Sequence, residues 1–253
     1  MTATSKPGVF DPEIRAVLLD LDGVITDTAS VHGKAWKQLF DGYLAGYDGT
    51  PEQCAPFRLP EDYATYVDGR PRYEGVQTFL RSRGIDLPWG DGADPPDAET
   101  VCGLGNNKNG YFNQVLDEQG VEVFEGCVRA MRQLKARGVK LACVSSSKNC
   151  RRVLERAGLV DLFDTIFDGT DLDREGVRGK PHPDTYLRAA ERLGVPASAA
   201  VVVEDATAGV AAGRAGDFGL VVGIDRGAGE AALKKHGADV VVGDFGDCVP
   251  PDA

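Results

Sequence analysis

Six apolar runs of strand length punctuate the chain: Ala16–Leu21, Lys140–Ser145, Thr165–Phe167, Ala200–Val203, Gly219–Ile224 and Asp239–Val242. They are rich in Val, Leu, Ile and Ala and almost uninterrupted by polar residues, the pattern of strands covered on both faces. Segments of helical period lie between most of them: Val128–Arg137, Arg151–Ala157, Pro183–Leu193, Ala208–Ala215 and Glu230–His236. Pro183 suits a first helical turn, and Gly138, Gly158, Gly194 and Gly237 follow helical patterns where C-caps belong. Strand–helix alternation of this kind predicts an α/β fold, a Rossmann-like, doubly wound parallel sheet.

The stretch from about Thr28 to Phe124 breaks the rhythm. Trp36, Leu39 and Phe40 recur at helical spacing, as do Val76, Phe79 and Leu80, then Tyr111, Phe112 and Val115. No convincing strand falls among them, so the reading is a helical cap, residues 28–124, inserted after the first strand of a core made of residues 1–27 and 125–253. The acidic, Gly/Pro-rich connection Gly90–Glu99 (GDGADPPDAE) reads as a long surface loop.

Composition narrows the partners. An apolar fraction of 42% over 253 residues fills a real core, and the formal net charge is −11. Nucleic acids and anionic membranes bind chiefly through Lys and Arg, so an acidic surface argues against both. A phosphorylated ligand must then be captured by a local cluster of cations or by a metal. The six cysteines have no Cys-x-x-Cys spacing, which reads as reduced, structural thiols and gives no support to a thiolate metal site. The first twelve residues do not resemble a signal peptide and no run approaches a membrane span, so the expectation is a cytoplasmic protein, taken as a monomer.

Doubly wound sheets bind ligands beyond the carboxyl ends of their strands. The first strand runs into Asp20-Leu21-Asp22-Gly23, the second into Ser145-Ser146-Ser147-Lys148-Asn149, and the fourth into Glu204-Asp205, while Lys180 precedes the helix before that fourth strand. Singly, each feature has an ordinary structural use: Asp after a strand forms turns or caps a helix, Ser-rich ends cap the next helix, and a lone Lys is solvated. Together they are harder to dismiss, because acids gathered at one rim repel unless a divalent cation joins them. Phosphoryl transfer needs oxygen ligands for Mg²⁺, a nucleophile in line with phosphorus and donors for the equatorial oxygens. Asp20 can offer one oxygen to the metal and attack with the other. Asp22 can move the proton of the entering or leaving hydroxyl while its carbonyl reaches the metal. Asp205 completes the metal's ligands, and Glu204 serves either as a further ligand or as an acceptor behind them. Ser145, the N–H groups of the Ser146–Asn149 turn and Lys180 can hold the transferring phosphate.

The order Asp20-x-Asp22-Gly-Val, Ser145, Lys180-Pro181, Glu204-Asp205 resembles the haloacid dehalogenase superfamily. The segments DGVITDTASVHGKAW (Asp22–Trp36), SSSKN (Ser145–Asn149) and GKPHPD (Gly179–Asp184) are similar to those of its β-phosphoglucomutase-like subfamily. The resemblance implies an aspartyl-phosphate on Asp20, general acid/base chemistry at Asp22 and Mg²⁺ as cofactor. It further implies that His32 contacts Asp22 and the incoming sugar, that Trp36 positions the cap, and that Lys148 and Asn149 bind the distal phosphate or sugar. Gly69 and Arg72 match a specificity loop, with Arg72 as phosphate anchor, and Lys108 and Asn109 match a sugar-contacting pair. Two departures stand out. Asp68-Gly69 replaces the Lys-Gly of those mutases, and the Gly90–Glu99 connection is an addition.

The activity implied is interconversion of β-D-glucose 1-phosphate and glucose 6-phosphate through a bisphosphate. The alternative is a Mg²⁺-dependent sugar-phosphate phosphatase, sharing the first step and ending with water. A phosphorylatable receiver domain is disfavoured by the Asp-x-Asp spacing and the size of the insertion, and a dehalogenase by the acidic pair. His182 and His236 read as surface residues, and Lys180-Pro181 as a candidate cis bond.

Overall fold

In the computed structural model, which describes residues 11, 13–67 and 70–249, all six expected strands form one parallel sheet. They are β1 Ala16–Leu19, β2 Lys140–Val144, β3 Thr165–Phe167, β4 Ala200–Glu204, β5 Leu220–Ile224 and β6 Val240–Val242, in the order β3-β2-β1-β4-β5-β6. Every residue of β1, β4 and β5 is buried, so both alternating sets of side chains are covered. Ala16, Leu18, Ala142, Val202 and Val221 pack in one cluster with Tyr186, Ala189, Leu193, Val210 and Leu233 from the crossover helices.

β1 is shorter than the apolar run because the chain turns at its end. The N–H groups of Ile25 and Thr26 both donate to the Leu21 carbonyl, and Gly23 takes φ +78°. That turn, rather than a longer strand, carries Asp22.

Among the described residues the helices are α1 Thr28–Ala45, α2 Arg72–Ser82, α3 Val101–Gln119, α4 Glu125–Ala136, α5 Cys150–Arg156, α6 Gly169–Glu175, α7 Asp184–Leu193, α8 Thr207–Ala215 and α9 Glu230–His236. Gly194 and Gly237 end α7 and α9 in the left-handed conformation that favours glycine. α6 has no counterpart in the apolar periodicity, because GTDLDRE holds a single large apolar residue. Its signal is polar: the Asp168 side chain accepts from the Thr170 and Asp171 N–H groups, and Asp171 reciprocates with the Asp168 N–H, a capping box. The Lys180–Pro181 and Leu59–Pro60 bonds are cis. All six cysteines are free thiols, and among the described residues no helix is long and apolar enough to cross a membrane.

Asp171 also anchors an ion-pair network with Arg151 at 3.0 Å, Arg192 at 3.1 Å and Arg174. Burial works to raise its carboxyl, but donation by Arg192, the Asp168 N–H and Arg151 outweighs that and holds it at about 2. Its folded-state pKa lies below the unfolded value. The ionised group therefore stabilises the native state above about pH 4, and the contribution is lost as pH falls through about 2. Asp171→Asn is expected to cost about 2 kcal/mol near neutrality. In urea unfolding, the gap between variant and wild type should narrow as the pH is taken below 4; a gap that stays constant would show that charge is not its origin.

The chain packs as two compact units, one of residues up to Thr28 and from Val121 onward, the other Ala29–Gly120. The second is helical, with no strand among its described residues. It has its own core of Trp36, Leu39, Phe40, Phe57, Phe79 and Leu104, in which the Phe40 and Phe79 rings lie 4.1 Å apart. Asp68 and Gly69 lie outside the described residues.

Candidate active site

The parallel register builds the first group of residues. Leu19 pairs with Cys143 on one side and Val203 on the other, so the next residues, Asp20, Val144 and Glu204, stand level at the carboxyl end of the sheet. Lys180, in the crossover before α7, reaches all three. Its Nζ lies 2.5 Å from Asp20 Oδ1, 2.6 Å from Glu204 Oε1 and 3.1 Å from the Val144 carbonyl. The ammonium also sits 5.0 Å from the centre of the Tyr186 ring.

Glu204 is 1% exposed and its carboxylate is tightly held. Oε1 accepts from the Tyr186 hydroxyl at 2.8 Å and Oε2 from the Ala206 N–H at 3.2 Å. A side chain at Gly209 would overlap that carboxylate, so α8 can approach only because residue 209 is glycine. Asp205 follows, half-buried, and its carboxylate occupies the space a Cβ on Gly23 would take. One carboxylate oxygen from each of Asp20, Glu204 and Asp205 lies within 4.8 Å of the others. Asp22, on the turn after β1, accepts a hydrogen bond from the fully buried Thr28 hydroxyl.

The charges do not balance. Burial pushes the Asp20 carboxyl well above its usual range; Lys180 opposes this, and Glu204, Asp22 and Asp205 add to it. Asp205 is pushed up to about 7 by burial and by Glu204 and Asp22. Burial works against the Lys180 ammonium, yet Asp20 and Glu204 hold its pKa well above normal. Four carboxylates thus share one firmly cationic lysine. The missing positive charge and the all-oxygen donor set fit a hard divalent cation at Asp20, Asp205 and the turn of Asp22, with Glu204 alongside.

After β2, Ser145 is 3% exposed; its N–H donates to the Phe167 carbonyl at 3.0 Å and its Oγ accepts from the Ser147 N–H at 3.1 Å. The Ser147 hydroxyl accepts from the Asn149 N–H at 3.1 Å, so two N–H groups expected to face a ligand are engaged within the turn itself. Ser146 is exposed. Lys148 is paired with Asp173 of α6 at 2.5 Å, an exposed contact that directs its ammonium toward α6.

The helical unit assembles a second group. Lys108 is only 4% exposed, so it is not a solvated surface cation. Its Nζ lies 2.5 Å from His32 Nδ1 and 5.1 Å from the ring centres of both Trp36 and Phe112, while His32 stacks on Phe112 at 4.5 Å. Burial, then Lys108 and Arg72, push the His32 pKa well below normal, so the ring is neutral and Nδ1 accepts from the ammonium. Arg72 opens α2 and donates to Asn109 Oδ1 at 3.2 Å.

The family model for haloacid dehalogenase-like hydrolases matches residues 14–217. The chain belongs to that family. It is 52% identical over 239 residues to a β-phosphoglucomutase of Mycobacterium bovis, covering 93% of this chain and 91% of that protein. A β-phosphoglucomutase of Bacillus subtilis is 32% identical, with 90% and 89% covered. Among solved structures, a β-phosphoglucomutase from Clostridium difficile superposes with a TM-score of 0.67 at 28% identity, covering 92% of each chain. The six-stranded parallel sheet with a helical region after β1 is the haloacid dehalogenase fold with a cap.

Several residues of these two groups escaped sequence reasoning. Tyr186 belongs to the apolar face of α7 and reads as core, although it lies six residues beyond Lys180. Thr28 sits inside the DGVITDT segment with nothing local to pair it with Asp22. Phe112 shares its helical stripe with core residues. The Tyr186–Glu204 and Phe112–His32 contacts join separate elements, and the Thr28–Asp22 bond closes across the turn after β1.

Proposed function

We propose that the chain is a β-phosphoglucomutase, interconverting β-D-glucose 1-phosphate and glucose 6-phosphate by way of phosphorylated Asp20 and glucose 1,6-bisphosphate. The observation that carries this reading is Asp20 itself: a buried carboxylate at a strand end, oriented by Lys180 and set within an acidic cluster short of positive charge. The similarity to named β-phosphoglucomutases over nearly the whole length supports the substrate.

In the forward direction the phosphoryl group on Asp20 passes to the C6 hydroxyl of β-glucose 1-phosphate. The P–O bond to Asp20 breaks as the bond to the sugar oxygen forms, and Asp22 takes the hydroxyl proton. The bisphosphate then presents its other end. Asp20 attacks the C1 phosphorus, and Asp22 returns the proton to the departing sugar oxygen, so glucose 6-phosphate leaves and phosphorylated Asp20 is restored. Thr28 fixes the rotamer of Asp22 by its hydrogen bond. Lys180 orients Asp20 and, with Ser145, faces the equatorial oxygens of the group in transit. Asp20, Asp205 and the Asp22 carbonyl, with Glu204 beside them, would hold Mg²⁺, which would supply the positive charge that lets anionic carboxylate and phosphate approach. Arg72 and Lys108 serve the phosphate that is not reacting, and His32 and Trp36 shape the sugar's surroundings.

A product assay tests this. With Mg²⁺ and a trace of glucose 1,6-bisphosphate, β-glucose 1-phosphate is expected to yield glucose 6-phosphate, whereas the α anomer is expected to be turned over poorly. Stoichiometric release of inorganic phosphate and glucose would instead establish a phosphatase.

A further inference from the structure

The Gly90–Glu99 connection, an apparent addition to the mutase pattern, is built rather than loose. Asp94 Oδ2 accepts from the Asp91 N–H at 3.0 Å and from the Thr100 hydroxyl at 2.6 Å. Gly90 takes φ +79°, and a side chain there would strike Asp94 and Thr100. The residues just before the loop cap α3, with the Val101 and Cys102 N–H groups donating to the Pro88 and Trp89 carbonyls at 2.9 Å each.

From α3 the contact continues inward through one amide. Asn106 Nδ2 donates to the loop carbonyls of Gly92 at 3.1 Å and Asp94 at 2.9 Å, and Asn106 Oδ1 accepts from the Tyr73 hydroxyl at 2.9 Å. Both ends of the side chain are used, which fixes it. The Tyr73 ring meets Trp89 edge to face at 6.3 Å, and the Arg72 guanidinium carbon lies 6.0 Å from its centre. Gly105 makes room: a Cβ there would come within 2.5 Å of the Tyr73 ring and 3.5 Å of Arg72 Cδ. Asn109, one helical turn after Asn106 and on the same face, receives the Arg72 guanidinium. Asn106 and Asn109 of the NNKN segment therefore grip the first two residues of α2, with Lys108 lying between them in sequence.

We propose that this loop is a positioning element for the cap's phosphate anchor. Through Asn106 and Tyr73 it holds the start of α2, and hence Arg72, in fixed relation to Lys108. Arginine has many rotamers, and ordering them on binding weakens affinity; an arginine already placed avoids that loss. Asn106 and Tyr73 are thus positioning residues that act through Arg72. The inference rests on the reading of Arg72 as the holder of the non-reacting phosphate.

Three full-length variants test it: Arg72→Ala, Tyr73→Phe (which removes only a hydroxyl) and Asn106→Leu. Each is assayed with β-glucose 1-phosphate and with p-nitrophenyl phosphate, which has no second phosphate. Tyr73→Phe and Asn106→Leu are each expected to raise KM for the sugar phosphate about tenfold. Their kcat, and kcat/KM for the aryl phosphate, should stay within about twofold of wild type. Should Arg72→Ala raise KM while the other two do not, the loop inference is overturned and the anchor stands. An unchanged KM in Arg72→Ala overturns the anchor itself. Equal losses on both substrates in Tyr73→Phe would reduce the hydroxyl to a structural role and end the proposal, and that variant keeps the test decisive if Asn106→Leu fails to fold.

Discussion

Asp20→Asn should abolish turnover, with a loss on the order of 10⁴-fold or more. The amide is a far weaker nucleophile than the carboxylate, and it cannot form the acyl phosphate on which both half-reactions depend. The variant should nonetheless fold at least as well as wild type. Its Oδ1 can still accept from Lys180, and one negative charge leaves a cluster in which Asp22, Glu204 and Asp205 already oppose ionisation of Asp20. Intact-mass analysis after incubation with bisphosphate should show one phosphoryl group on the wild type and none on the variant. Stoichiometric labelling of Asp20→Asn would place the nucleophile elsewhere.

Asp22→Asn should slow sugar turnover by roughly two to four orders of magnitude. The asparagine can still accept the Thr28 hydroxyl and the turn after β1 is unchanged, so the loss reports proton transfer rather than shape. The leaving group provides the sharper check. Phosphorylation of Asp20 by an aryl phosphate needs little help from an acid, because a phenolate departs readily, whereas a sugar alkoxide does not. The defect should therefore be much smaller for the labelling step with the aryl donor than with the bisphosphate. Magnesium binding, followed by calorimetry, should persist, since in the proposed mechanism Asp22 would offer the metal only its main-chain carbonyl. A variant equally slow with both donors would remove Asp22 from acid/base duty.

Much of the architecture was legible because it depends on local composition. Val- and Leu-rich runs without alternation require cover on both faces, and the helical periods between them supply it; hence the parallel sheet and the inserted helices could be read from residue order alone. α6 escaped because its start is encoded in two aspartates rather than in an apolar stripe. β1 was read two residues too long because Leu21 is as apolar as the strand, and only the turn at Gly23 ends it.

The acids and the lysine at the strand ends were equally visible, since Asp20, Asp22, Lys180, Glu204 and Asp205 lie at element boundaries that the pattern marks. That they gather at one rim was read as well; their contacts with one another were not. That Lys180 bridges Asp20 and Glu204, with Tyr186 donating to the same glutamate, depends on strand register and on the path of a crossover. Likewise, the family resemblance marked Lys108 as part of a sugar-contacting pair, but only the packing of α1 against α3 buried it between Trp36, Phe112 and His32. The sequence by itself determined which chemical groups this protein carries and on which elements. The tertiary structure decided which of them share a low-dielectric space, because burial and distance, not residue type, set how strongly charges act on one another.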